Sequence, residues 1–119
     1  MSQTNLVMNV RQVSPKISII DIQGDLSAAA EPVLTSAYAQ ANAPTTRVIV
    51  INFSALAYMN SSGIGLLVTL LIRINRQKQR LLCYGLSDHY RHIFALTRLS
   101  DVIPLYDTEQ GVLEAAKAL

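Results

Sequence analysis

The sequence predicts an α/β sandwich, a mixed, mostly parallel β-sheet flanked by about four α-helices. Two observations carry this. Short runs rich in β-branched and apolar residues alternate along the chain with longer segments that open on helix-cap signatures. One of those runs, Arg47–Phe53, is apolar at nearly every position, as a strand buried on both faces beneath helices should be. At 119 residues, 50% hydrophobic and 15% charged, the chain is expected to form one domain over residues 1–119, with disorder unlikely on composition.

Each element has its own signal. Val7–Val13 alternates weakly, and Ser14-Pro15-Lys16 is a turn, so Ile17–Ile22 is expected to return antiparallel as a hairpin partner. Gly24-Asp25 is read as the end of that strand. Ala28–Ala43 is alanine-rich, with Pro32 in its first turn, where proline is tolerated, and an apolar stripe of Val33, Leu34, Ala37 and Ala41. Asn42-Ala43-Pro44 breaks this helix before the buried strand. Ser54–Met59 reads as a loop. Asn60-Ser61-Ser62-Gly63 is a cap signature for a long helix reaching to about Gln79. Leu81–Tyr84 is a short strand ended by Gly85, Ser87-Asp88 caps a helix around Tyr90–Leu96, Val102–Tyr106 is a last strand, and Asp107-Thr108 caps the terminal helix Glu109–Leu119.

Composition narrows the function classes. The single cysteine, Cys83, forbids an intrachain disulfide and fits a reducing cytoplasm; mid-strand, it reads as a small buried apolar residue. Met1–Arg11 has no apolar core of signal-peptide length. The longest apolar stretch, Ile64–Ile72, stops at Arg73, far short of the roughly 20 residues of a membrane-spanning helix, so no membrane insertion is expected. The net charge is only +2. The local run Arg73, Arg76, Lys78, Arg80 reads as the solvated end of a helix, and no nucleic-acid partner is expected. Asp88, His89 and His92 share a helix without a third strong ligand at useful spacing, so no metal and no cofactor is expected. Neither a nucleophile elbow nor a P-loop occurs, so the chain is not expected to be an enzyme.

The segment Met59–Leu66 concentrates the functional signal. It joins a buried strand to a helix, and in α/β sheets ligands and partners gather off the carboxyl ends of parallel strands. Asn60 or Ser61 can cap the helix, while Gly63 and Gly65 remove side chains from its first turns and open an approach for a partner backbone or a phosphate. The same residues also describe a plain capped helix start with glycines that tighten it. In the helix, Ile64, Leu67, Val68, Leu71 and Ile74 form one stripe expected to face the core; Leu66 and Leu70 form a neighbouring strip and Ile72 lies to the other side. The surplus apolar width is either a partner patch beside Ser61 and Ser62 or is covered by flanking helices.

Asn60-Ser61-Ser62-Gly63-Ile64-Gly65-Leu66, preceded by Tyr58-Met59, resembles the signature of the STAS domain in anti-sigma factor antagonists, whose usual form is Asp-Ser-Ser/Thr-Gly-Ile/Leu-Gly. Gly24-Asp25-Leu26 before Ala28-Ala29-Ala30, the segment Arg91–Leu99, and Ile103–Glu109 resemble further parts of the family in order, so the likeness spans nearly the whole chain. It implies a STAS-like sandwich and a protein-binding role: the unphosphorylated antagonist binds an anti-sigma factor that is also a serine kinase, the kinase phosphorylates the first serine of the motif and ends the binding, and a serine phosphatase resets it. By position the acceptor is Ser61, with Ser62 a lesser candidate, and the partner-binding set is Gly24, Asp25, Ser27, Asn60, Ser61, Ser62, Gly63, Gly65, Leu66 and Leu70. Two departures stand out: Asn60 and Ser27 occupy positions where the family usually carries Asp. The alternative is a soluble STAS subunit of a membrane transport or stressosome-like assembly, binding its partner without phosphorylation.

Overall fold

The computed structural model describes residues 6–119, so part of the Met1–Arg11 segment lies outside the described residues. The elements are β1 (Val7–Ser14), β2 (Ile17–Leu26), a 3-10 turn (Ala28–Ala30), α1 (Glu31–Ala41), β3 (Val48–Met59), α2 (Ser61–Arg76), β4 (Arg80–Tyr84), α3 (Asp88–Leu96), a second 3-10 turn (Leu99–Asp101), β5 (Leu105–Tyr106) and α4 (Glu109–Lys117). One five-stranded sheet has the order β1-β2-β3-β4-β5; β1 is antiparallel to β2 and the other neighbours are parallel. This is the mixed, mostly parallel sheet with four α-helices that the sequence predicts.

Strand alternation divides the core in two. Ile20, Ile22, Ile49, Ile51, Phe53, Leu81 and Cys83 point to the face covered by α1, α2 and α3. Ile19, Val48, Val50 and Leu82 point to the opposite face, where Val112 and Ala116 of α4 cover them. Because the strand order follows the chain and parallel crossovers are right-handed, the three crossover helices must share one side. Cys83 is fully buried, and burial alone pushes its thiol pKa well above the usual range, so it stays a neutral apolar filler.

Six boundaries differ from expectation. The segment Ser54–Met59, expected as a loop, continues β3, and Gly24-Asp25 does not end β2; the two extensions pair with each other across register shifts, with Asp25 opposite Tyr58 and Leu26 opposite Met59. The irregularity at Gly24 is what the local sequence shows as a stop: its φ of 103° is a left-handed conformation that glycine adopts without strain. The alanine-rich segment opens as a 3-10 turn before α1 begins at Glu31. Helix α2 stops at Arg76 and not near Gln79, and α4 at Lys117. The last strand is only Leu105–Tyr106, because Leu99–Asp101 forms a 3-10 turn and Val102 is exposed.

The α4 face also carries a polar row. Asp21, Asn52 and Tyr84 lie side by side on β2, β3 and β4. Arg11 of β1 donates from Nε and Nη2 to the Asp21 carboxylate at 2.6 and 2.8 Å, and from Nη2 to Glu109 Oε1 of α4 at 2.8 Å. Asn52 Nδ2 donates to Asp21 at 2.8 Å, and the Tyr84 hydroxyl donates to Glu109 at 2.7 Å. The Arg11 hydrogen bonds hold both carboxyls below their ordinary pKa values, and burial followed by the Glu109 bond pushes the Tyr84 phenol up to about 12.

Candidate functional site

The carboxyl ends of β2 and β3 converge on the start of α2. Asn60 leaves β3 in extended conformation and caps the helix, its Oδ1 accepting from Gly63 N–H at 2.9 Å while its carbonyl accepts from Ile64 N–H at 3.0 Å. Its own N–H donates to the Leu26 carbonyl at 3.3 Å, which fastens the helix start to the end of β2. Capping therefore falls to Asn60, and Ser61 is the first helical residue, with an exposed side chain. The amide N–H groups of Ser61 and Ser62 have no intrachain acceptor among the described residues, and they stand at the positive end of a 16-residue helix.

The two motif glycines differ. Gly63 is buried, and a Cβ there would lie 2.1 Å from the Leu26 carbonyl oxygen and 3.1 Å from Met59 Cγ. It is the close-approach point of helix on strand, so the partner-contact role assigned to it is corrected: its neighbours are this chain's own β2 and β3. Gly65 is exposed with nothing within 4 Å of such a Cβ.

The helix presents its faces otherwise than the sequence suggests. Gly63, Leu67, Leu70, Leu71 and Ile74 are buried. Leu70, assigned to the partner surface, is only 2% exposed and belongs to the core, which removes it from any contact surface. Val68, assigned to the core, is 37% exposed, and Ile72 is 47% exposed. Leu66 is half-buried, packed against the core edge. At about 100° per residue, Ser61, Gly65, Val68 and Ile72 fall within an arc of roughly 60° opposite the core. The surplus apolar width is thus real, but it lies in line with Ser61 along the outward face.

The neighbouring strand end supplies the rest of the rim. Asp25 is half-buried opposite Tyr58, which is 51% exposed. Ser27 is half-buried; its carbonyl accepts from Ala30 N–H at 2.9 Å, and its side chain makes no cap bond. Gly24, Asp25 and Ser27 therefore share one edge of the molecule with Asn60, Ser61 and Ser62. Sequence reasoning missed Tyr90: its buried hydroxyl accepts from Met59 N–H at 2.9 Å, so α3 holds the last residue of β3 before the motif. His89, His92 and Asp88 are exposed on α3.

Residues 9–112 match the family model described as the STAS domain. The chain belongs to the STAS family. An anti-sigma-B factor antagonist of Staphylococcus aureus is 30% identical over 84 residues, covering 71% of this chain and 78% of that protein. Among solved structures, an anti-sigma factor antagonist from Mycobacterium paratuberculosis superposes with a TM-score of 0.81 at 21% identity, covering 95% of each chain. The Bacillus cell fate determinant SpoIIAA in its phosphorylated form gives 0.67 at 20% identity, covering 92% of this chain and 99% of that one. In STAS terms, Asn60–Leu66 is the β3–α2 motif of this chain, and the relatives' names support the antagonist role in its general form. No helix among the described residues is long and apolar enough to cross a membrane.

Proposed function

We propose that this protein is an anti-sigma factor antagonist that binds a serine-kinase anti-sigma factor through the outward face of α2 and the β2–α1 rim, and that phosphorylation of Ser61 ends the binding. The observation that carries the reading is the alignment of an exposed Ser61 hydroxyl with the exposed strip Gly65, Val68 and Ile72 on one helix face. Half-exposed apolar side chains in that strip gain from being covered by another polypeptide. A phosphoryl group on Ser61 Oγ adds roughly −1.5 to −2 charge beside that strip. The free Ser61 and Ser62 amides and the helix dipole favour it in the unbound protein by about 0.3–1 kcal/mol, while a covering surface would have to desolvate it. A serine phosphatase restores the hydroxyl.

The test mixes the protein with kinase-type anti-sigma factors and ATP and follows phosphate by mass spectrometry. Phosphate on Ser61 with loss of the complex is expected. Ser61→Ala should bind and resist the switch, and Ser61→Asp should bind at least about tenfold more weakly, as a buried unpaired charge implies. Equal binding by both variants overturns the switch. Tight binding untouched by phosphorylation points instead to the transport or stressosome-like role, which the missing carboxylates at Asn60 and Ser27 would suit.

A further inference from the structure

At the end of the molecule opposite Ser61, where the parallel strands begin, lies a cavity of about 530 Å³. Five of the chain's ten Lys and Arg residues line it: Lys16, Arg47, Lys78, Arg80 and Lys117. No Asp or Glu side chain lines it, Ser14 and Leu119 complete the lining, and none of the five cations makes an ion pair among the described residues. Its floor is apolar, formed by Ile17, Val48 and Ala116, each buried.

This arrangement is unfavourable for the fold alone. Arg47 N–H donates to the Lys16 carbonyl at 2.8 Å and Arg80 N–H to the Arg47 carbonyl at 2.9 Å, which gathers the three cations where β2, β3 and β4 begin. Like charges gathered at one end of a sheet, with no counter-ion between them, repel. Helix dipoles explain little of it, since only Lys117 sits in the last turn of a helix. Lys78 adds a second cost: it holds φ at 59°, the left-handed position after a helix that glycine or asparagine normally takes. The basic run read from sequence as a solvated helix end is, at Lys78 and Arg80, one side of a cationic rim completed by distant Lys16, Arg47 and Lys117.

We propose that this cavity binds a small organic phosphate, with the phosphate groups held by the cationic rim and the apolar body resting on Ile17, Val48 and Ala116. Arginine matches phosphate oxygens with paired N–H donors, and two arginines with three lysines suit more than one negative charge. The volume lies within the roughly 300–1,000 Å³ of small-ligand sites. A protein partner would need about 800 Å² of matching surface on each side, far more than a cavity with a three-residue apolar floor offers.

The probes are ADP and inorganic pyrophosphate in magnesium-free buffer, titrated into ¹⁵N-labelled full-length protein. ADP is expected to shift the amide signals of Lys16, Arg47, Val48, Lys78 and Arg80 and to bind at least about fivefold tighter than pyrophosphate, because it alone covers the floor. The double variant Arg47→Gln/Arg80→Gln should weaken ADP at least about tenfold while its circular dichroism and urea midpoint stay native, both side chains being exposed. Lys78→Gly should also weaken ADP and should not lower stability, since glycine suits that φ. Ser61→Ala should bind ADP as the native protein does. Absence of shifts, equal binding of the two probes, or native affinity in the double variant overturns the proposal. So does capture by a polyglutamate peptide or phosphatidylserine vesicles that ADP does not compete, which would mark a macromolecular partner instead.

Discussion

Asn60, Gly63 and Gly65 show how much a single residue type leaves open until its surroundings are known. Two glycines two positions apart look interchangeable in sequence, yet one is wedged on the Leu26 carbonyl and the other stands free. Gly63→Ala must push α2 away from β2, an overpacking cost of about 1–3 kcal/mol that a urea unfolding curve should register. Gly65→Ala meets nothing and gains helix propensity, so it should raise stability by about 0.5–1 kcal/mol in the same assay. The cap was legible because Asn before a glycine-containing helix start is local chemistry. The Gly63 contact was not, because its neighbour is 37 residues earlier in the chain. The same limit hid Tyr90, whose bond to Met59 crosses 31 residues.

At the scale of the element, α2 carries apolar residues on more than one side, and periodicity alone cannot say which side the sheet covers. The sequence-derived stripe placed Val68 inward and Leu70 outward; the structure reverses both. Gly63 decides the orientation, since only a position without a side chain can touch β2 so closely, and Gly65 faces away. Two substitutions should therefore behave oppositely. Leu70→Ala removes a core side chain and should cost about 2–5 kcal/mol in urea unfolding. Ile72→Glu should leave stability within about 0.5 kcal/mol and weaken anti-sigma binding at least about tenfold in a titration. The β3 extension has a similar origin: Ser54–Met59 has poor strand character by itself and is a strand because Gln23–Leu26 lies alongside it.

Across the whole molecule, charge is segregated along the strand direction. Glu31, Asp88 and Glu109 open helices at the carboxyl end of the sheet, whereas Arg73, Arg76 and Lys117 close helices at the other, each favourable with the helix dipole. Between these poles Arg11 joins β1, the sheet and α4 through Asp21 and Glu109. Both carboxyls have folded pKa values below their unfolded ones, so this contribution is present above the unfolded carboxylate range, about 4, and is lost as pH falls through the folded values. Arg11→Met should lower stability at pH 7 by about 1 kcal/mol, a figure discounted for the partial exposure of the pairs, and should flatten the fall between about pH 5 and pH 2 in parallel urea titrations. The element order, the parallel sheet, the helix cap and the motif that places this chain among STAS domains follow from the amino-acid sequence, because caps, turns and β-branched runs act over a few residues. The outward face of α2, the seat of Gly63, the paired extensions of β2 and β3 and the gathering of five cations around one cavity were decided only by the tertiary structure, because each depends on strands that meet from distant parts of the chain.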